Sequence, residues 1–202
     1  MKEQRILFMG TAQFALPSLS KLLDLNQNIV GVYSSPPKKA NRGMEISNSP
    51  VINYAQSKGL NFNCPENLKD ENEVLIIKEL NPDIIIVIAY GLIIPRSILE
   101  IPRIGCFNLH GSLLPRWRGA APIQRAILAG DEFTGVSIIK VVKELDAGPI
   151  VLDKKFKISE KDNSGIIYDR IINFGTKILV EAIKKIVTDN FEYKLQNEEK
   201  TV

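Results

Sequence analysis

The stretch Asp83-Ile-Ile-Ile-Val-Ile-Ala89 is the most apolar run in the sequence and decides the fold class. Its short length and its β-branched residues predict a strand that is buried on both faces, which is typical of a parallel sheet. Asn81-Pro82 stands just before this run and ends a helix predicted over residues 71–80. The run therefore predicts the centre of an α/β sheet.

Strand-like and helix-like segments alternate on both sides of this run. The predicted strands cover Ile6–Met9, Ile29–Tyr33, Ile104–His110, Val136–Val142 and Ile150–Ile158, and the other predicted helices lie around Ala15–Leu23, Val51–Lys58, Ala120–Ala129 and Gly165–Val187. The alternation predicts a Rossmann-like α/β fold, a largely parallel twisted sheet with helices on both faces. Ligands of such sheets bind beyond the carboxyl ends of the strands, so we expect the chemistry just after Met9, Ala89 and Leu109.

Composition narrows the class of protein. The 202 residues, 45% hydrophobic and 24% charged with a net charge of +3, are typical of one soluble globular domain with at most a short appendage. Cys64 and Cys106 form no CxxC motif, which favours a reducing cytoplasm. The single histidine, His110, excludes sites that need two or three histidines. Any imidazole chemistry must use His110.

Asn108 and His110 lie two residues apart at the end of a predicted strand. Residues with this spacing point to the same face of a strand, so a carboxamide and an imidazole can address one oxygen atom. Two such donors suit the stabilisation of an oxyanion. The alternative is a partly buried histidine with a hydrogen-bonded asparagine beside it, and the spacing alone leaves both interpretations open.

Asp146 lies in Glu144-Leu-Asp-Ala-Gly148, between two predicted strands that form a hairpin or a tight connection. An aspartate before Ala-Gly is more often a turn former than a catalyst. As a carboxylate partner of the only histidine, it would favour the charged imidazolium.

Three further segments carry weaker signals. Gly10, after the first predicted strand, lacks the later glycines of a dinucleotide motif and indicates a tight turn into a helix. Residues 34–50 show no periodicity and many breakers, so they are predicted to form a long loop. The polar tail over residues 192–202 is predicted to be frayed or to form the stub of a linker.

The segment from Asn108 to Gly119, with its core Ser112-Leu-Leu-Pro115-x-x-x-Gly119, resembles the signature of the formyltransferase family that uses 10-formyltetrahydrofolate. Asp146 stands where that family carries its catalytic aspartate. The resemblance implies that Asn108 and His110 polarise the formyl group, and that Asp146 positions His110 and helps to remove a proton from the attacking amine. It assigns folate binding to Ser112, Leu113, Leu114, Pro115, Tyr90, Gly91, Leu92 and Ile93. It implies no metal.

From Arg5 to about Val187 the chain is similar to those family members that formylate methionyl initiator tRNA. The similarity includes Leu114–Arg125 and the segment Pro36–Pro50. It implies initiator methionyl-tRNA as the partner, with Lys38, Lys39 and Arg42 attracting its phosphates. A cytoplasmic monomer is expected, with a catalytic domain over residues 1–187. Residues 188–202 would then be a linker stub toward a tRNA-binding barrel that lies outside this sequence.

Three other functions stay open at this point. A formyltransferase acting on a small amine, such as a sugar-nucleotide amine or glycinamide ribonucleotide, would share Asn108, His110 and Asp146 but would generally lack this version of Pro36–Pro50. A serine hydrolase built on Ser112 is disfavoured because no G-x-S-x-G elbow surrounds it. A catalytically silent module that binds folate or tRNA is the remaining alternative.

Overall fold

A computed structural model describes residues 4–40 and 45–201 of the chain. The chain divides into two compact units, Met1–Cys106 and Phe107–Val202. The elements in chain order are β1 (Arg5–Gly10), α1 (Leu16–Asp24), β2 (Asn28–Tyr33), β3 (Lys38–Ala40), β4 (Glu45–Ser47), α2 (Pro50–Ser57), β5 (Phe62–Asn63), α3 (Glu71–Leu80), β6 (Ile84–Ile88), α4 (Arg96–Leu99), β7 (Gly105–His110), α5 (Pro122–Leu128), β8 (Phe133–Lys140), β9 (Ile150–Lys157) and α6 (Ser164–Val187).

The first unit contains the parallel sheet that the apolar run predicts. Its strands lie in the order β5-β2-β1-β6, and each neighbouring pair is parallel. The side chains of β1 from Ile6 to Met9 are completely buried, and those of β6 are at most 9% exposed. In the full order β5-β2-β1-β6-β7-β8-β9, β6 is the middle strand, so the prediction of an α/β fold with a central strand at residues 83–89 is confirmed.

Side-chain caps explain where three of the helices begin. Ser49 accepts a hydrogen bond from the amide of Ile52 at the start of α2, and Asp70 does the same for Asn72 at the start of α3. Asn163 caps α6. Each cap satisfies an amide that has no partner within the helix.

Gly10 marks a place where two elements approach closely. A Cβ atom at this position would lie 2.8 Å from the Cβ of Ala15, at the turn that leads toward α1. Only glycine fits this approach without a shift of the backbone. The interpretation of Gly10 as a tight strand-to-helix turn is confirmed.

The second unit is antiparallel. Strands β7, β8 and β9 pair in that order, and the hairpin predicted around Glu144–Gly148 joins β8 to β9. Helix α6 packs on β8 and β9 through a continuous buried stripe that includes Ile167, Ile171 and Ile178. The prediction of a largely parallel sheet is confirmed, and the antiparallel part of the sheet is formed by β7, β8 and β9.

Two sequence predictions are wrong in part. Residues 34–50 are not all loop, because β3 and β4 form a short antiparallel pair with Lys38 opposite Ser47 and Ala40 opposite Glu45. The tail is not frayed, because Lys194 exchanges main-chain hydrogen bonds with Ile150 at the start of β9. Segments of three residues or fewer carry too little periodicity to be recognised in a sequence.

Candidate active site

Strand β7 presents two polar side chains to the same face, as their spacing predicts. Asn108 lies opposite Ile139 of β8, and His110 lies opposite Ser137. The side chain of His110 is 8% exposed. A buried imidazole requires hydrogen-bond partners for its polar atoms, and the neighbouring loops supply them.

Asp146 contacts both of these side chains, and the three residues form a cluster, Asn108–His110–Asp146. Its Oδ1 accepts a hydrogen bond from Asn108 Nδ2 at 3.1 Å, and its Oδ2 accepts one from the amide of Gly119 at 2.9 Å. The same Oδ2 lies 3.4 Å from His110 Nδ1. The structure therefore brings Asn108, His110 and Asp146 together, as the sequence predicts, and their catalytic roles stay predictions.

The two ring nitrogens of His110 have different hydrogen-bond partners. Its Nε2 lies 2.8 Å from the carbonyl oxygen of Trp117. A carbonyl oxygen only accepts hydrogen bonds, so Nε2 carries a proton. Nδ1 faces the carboxylate of Asp146, which is also an acceptor. Both ring nitrogens of His110 therefore lie beside hydrogen-bond acceptors.

A second aspartate, Asp131, holds the loop that supplies this carbonyl. Its carboxylate accepts hydrogen bonds from Arg116 at 2.8 and 2.7 Å and from the indole nitrogen of Trp117 at 2.7 Å. The hydrogen bond with Arg116 lowers the pKa of Asp131, although burial opposes this. Trp117 adopts a left-handed backbone with φ of 60°, which bulky residues rarely do. Sequence reasoning missed Asp131, since no motif contains it.

Ser112 does not serve as a nucleophile in this arrangement. Its hydroxyl donates a hydrogen bond to the carbonyl of Arg116 at 2.7 Å, and the side chain is fully buried. Ser137 accepts a hydrogen bond from the amide of Leu114 and donates one to the carbonyl of Ser112. These bonds hold the turn Ser112–Pro115 against β8, which argues against the hydrolase alternative.

The other predicted folate segment lies in the first unit. Tyr90 follows β6, and its carbonyl accepts a hydrogen bond from Thr11 Oγ1 at 2.7 Å. Gly91 has φ of 88°, in the region that favours glycine. Gly91, Leu92 and Ile93 belong to no helix or strand, and the Ile93 side chain is 87% exposed.

The tail reaches the candidate active site. Gln196 donates hydrogen bonds to the carbonyl oxygens of Asp146 and Gly148, and it accepts two from the guanidinium of Arg118. Arg118 also pairs with Glu198 at 2.8 Å. That hydrogen bond raises the pKa of Arg118 and lowers the pKa of Glu198. The sequence carried no signal for Gln196, because contacts this far apart in the chain depend on the fold.

The predicted tRNA-binding residues are described only in part. Lys38 and Lys39 lie in β3, opposite Ser47 and Ile46 of β4. Arg42 lies outside the described residues. Within residues 4–40 and 45–201, no group of three His, Cys, Asp or Glu side chains could hold a metal ion. No helix in this part of the chain is long and apolar enough to cross a membrane.

The fold and the cluster together define a class of protein. Two hydrogen-bond donors beside a carboxylate, on an α/β framework, suit group transfer at a carbonyl carbon. The chain belongs to the formyl transferase family, whose sequence pattern matches residues 4–183.

Curated relatives narrow the comparison further. The methionyl-tRNA formyltransferase of Ehrlichia ruminantium (strain Welgevonden) is 47% identical over 196 residues, which cover 96% of this chain and 64% of that protein. The methionyl-tRNA formyltransferase of Parvibaculum lavamentivorans is 45% identical over 179 residues, which cover 89% of this chain and 58% of that protein. The chain thus spans about three fifths of the length of these relatives.

Solved structures share the fold at lower sequence identity. Phosphoribosylglycinamide formyltransferase from Anaplasma phagocytophilum has a TM-score of 0.79 at 22% identity and covers 98% of this chain and 96% of its own. A sugar N-formyltransferase from Shewanella sp. has a TM-score of 0.73 at 21% identity, covering 97% of this chain and 74% of its own. These likenesses confirm the Rossmann-like fold.

Proposed function

We propose that the chain transfers the formyl group of 10-formyltetrahydrofolate to the α-amino group of methionine on initiator tRNA, in the cytoplasm. The observation that carries the proposal is the convergence of Asn108 and His110 on Asp146. Identities of 45% and 47% with proteins named methionyl-tRNA formyltransferase support this choice of acceptor.

Asn108 and His110 supply the donors for an oxygen that gains negative charge. One N–H of the Asn108 carboxamide is bound to Asp146, and the second can donate to the formyl oxygen. The 3.4 Å between His110 Nδ1 and Asp146 is longer than a good N–H···O bond, so Nδ1 is not fully engaged by the carboxylate and can contact an oxygen placed beside it. Each such donor contributes about 3–4 kcal/mol to lowering the barrier.

Asp146 performs the matching proton chemistry. An amine that attacks a formyl carbon must lose a proton, and the carboxylate can accept it directly or through one water. The bond between the formyl carbon and the folate nitrogen then breaks, and that nitrogen takes up a proton as tetrahydrofolate leaves. The same carboxylate lies 3.4 Å from His110 Nδ1, so it also fixes the position of the ring. The amide of Gly119 and the carboxamide of Asn108 keep the carboxylate in one orientation.

The folate co-substrate supplies an electrophilic formyl carbon when it is bound. We assign its binding to two segments, Ser112, Leu113, Leu114 and Pro115, and Tyr90, Gly91, Leu92 and Ile93. Residues 91–93 lie outside regular structure, so their main-chain amides and carbonyls are not used in a sheet ladder or a helix. Such groups can pair with the edge of a heteroaromatic ring, and the exposed Ile93 offers an apolar surface.

Lys38, Lys39 and Arg42 are assigned to tRNA phosphates, with residues 188–202 as the start of a linker. Each phosphate contact that is lost should flatten the salt dependence of tRNA binding by about one unit of slope. Replacing each of the three by alanine should therefore weaken tRNA formylation and leave folate binding unchanged. If all three variants formylate tRNA normally, the result would favour a small amine over tRNA as the acceptor.

The decisive experiment compares amine acceptors with one donor. The chain is incubated with 10-formyltetrahydrofolate and, in separate reactions, charged initiator tRNA, glycinamide ribonucleotide or an amino-sugar nucleotide. We expect product only with the tRNA, and a loss of about 100-fold or more for Asn108→Ala and for Asp146→Asn. Ser57→Ala, at an exposed position at the end of α2, serves as the matched control. Preferred formylation of a small amine would contradict the proposal.

A further inference from the structure

Gln196 lies at a junction between the tail and the turn that carries Asp146. Its Nε2 donates to the carbonyl oxygen of Asp146 at 2.8 Å and to that of Gly148 at 2.7 Å. Its Oε1 accepts from Arg118 Nε at 3.0 Å and from Arg118 Nη2 at 2.8 Å. All four hydrogen-bonding positions of this carboxamide are therefore used.

The turn that Gln196 binds contains a residue with a left-handed backbone conformation. Asp146 adopts φ of 49°, in the left-handed region, which aspartate tolerates better than most residues with a Cβ but still at a cost. Such conformations persist where surrounding contacts determine them more than once. Asp146 is held through its carboxylate by the amide of Gly119 and through its carbonyl by Gln196.

Arg118 connects the two groups that hold Asp146, the amide of Gly119 and the side chain of Gln196. It immediately precedes Gly119, and its guanidinium holds Gln196 and Glu198 of the tail at the same time. The Arg118 side chain is only 13% exposed, whereas Glu198 is 70% exposed, so the bonds to Gln196 are better shielded from water than those to Glu198. The loop that binds the Asp146 carboxylate and the tail that binds its carbonyl thus share one side chain.

We propose that Gln196, held by Arg118, is a positioning residue that sets the orientation of the Asp146 carboxylate toward His110. The segment after helix α6 is then a working part of the active site. The effect on turnover rests on the proposed function, whereas the effect on His110 does not. The predicted direction is a loss of turnover without a loss of co-substrate binding.

The test uses the only histidine of the chain as a reporter. With ¹⁵N-labelled histidine, the two ring nitrogens of His110 give the only imidazole signals, and they face different partners. Nδ1 faces Asp146, whereas Nε2 faces the Trp117 carbonyl. We expect Gln196→Ala and Gln196→Glu to shift the Nδ1 signal and to leave the Nε2 signal nearly unchanged. Leu195→Ala, at an 81% exposed neighbouring position, is the matched control and should shift neither signal.

Kinetics give the second readout. In formyl transfer, Gln196→Ala should lower kcat by about 10–100-fold, the range typical of misplaced catalytic groups, with the KM for the formyl donor within about twofold. The double variant Gln196→Ala/Arg118→Ala should be no worse than the more damaging single variant, since residues in one network are not additive.

Two results would overturn the inference. One is an Nδ1 signal in Gln196→Ala identical to that in Leu195→Ala. The other is an equal shift of both ring nitrogens together with a large drop in melting temperature, which would mean general loosening. If the unaltered chain formylates no amine, the proposed function fails, and the ¹⁵N signals still decide whether Gln196 positions Asp146.

Discussion

Asp131 lies outside the Asn108–His110–Asp146 cluster, and changing it should lower the stability of the folded chain in a pH-dependent way. The perturbation is Asp131→Asn, which keeps the shape of the side chain, removes its charge and turns an N–H toward a donor. Three hydrogen bonds of 2.7–2.8 Å end on this carboxylate. Arg116 is 41% exposed, so its pair contributes at most about 1 kcal/mol. The bond from Trp117 to a charged acceptor contributes about 1.5–3 kcal/mol.

The sum, about 3 kcal/mol, should lower the melting temperature by roughly 6–12 °C for a chain of this length. The loss of stability caused by Asp131→Asn should also depend on pH. Arg116 holds the pKa of Asp131 below its ordinary value of 3.8, so the folded state is stabilised above that value. The stabilisation is lost as the pH falls through the lowered pKa. The difference in melting temperature between the unaltered chain and Asp131→Asn should therefore be largest at pH 6 and should become smaller below about pH 4.

The assay is thermal unfolding followed by the fluorescence of Trp117, the only tryptophan, across a pH series. Arg96→Ala, which breaks an exposed pair with Glu100 on the short helix α4, is the control and should change the melting temperature by less than about 2 °C. A gap that is independent of pH, or a change no larger than that of the control, would refute the reasoning that Asp131 anchors the Trp117 loop through its charge.

Three more outcomes follow from single positions. Ser137→Ala should cost about 2–3 kcal/mol of folding free energy in urea unfolding, because it leaves two buried main-chain groups unpaired. Gly135→Ala should cost about 3 kcal/mol by the same assay, since its Cβ would overlap the carbonyl oxygen of Lys154. Gly165→Ala in the first turn of α6 should cost much less, because its Cβ would meet only the side chain of Asn163, at 3.2 Å. His110→Ala should abolish formyl transfer and keep folate binding, as measured by turnover and by titration calorimetry; near-normal turnover would show that the role is misassigned.

The sequence indicated the parts of the site that depend on local spacing. Asn108 and His110 face one side because a strand has a period of two, and the short length and β-branched residues of the run at 83–89 favoured a buried strand. No sequence pattern indicated Asp131 or Gln196. Asp131 holds the side chain of Trp117, whose main-chain carbonyl contacts His110, and Gln196 binds the main-chain carbonyl of Asp146. Such contacts depend on where loops meet in the fold, and no spacing in the sequence encodes them.

The position of β1 within its sheet has a consequence for the growing chain. β1 pairs with β2 on one side and with β6 on the other, so Gly10 finds its partner Ile88 only after the intervening chain is made. At about 5–20 residues per second, a ribosome needs roughly 4–16 s to reach β6 after β1. A βαβ unit of β1, α1 and β2 can assemble early, and until β6 arrives it exposes an apolar strand edge. Chaperones that shield such edges should therefore improve the yield of folded protein during synthesis more than they improve the stability of the finished chain.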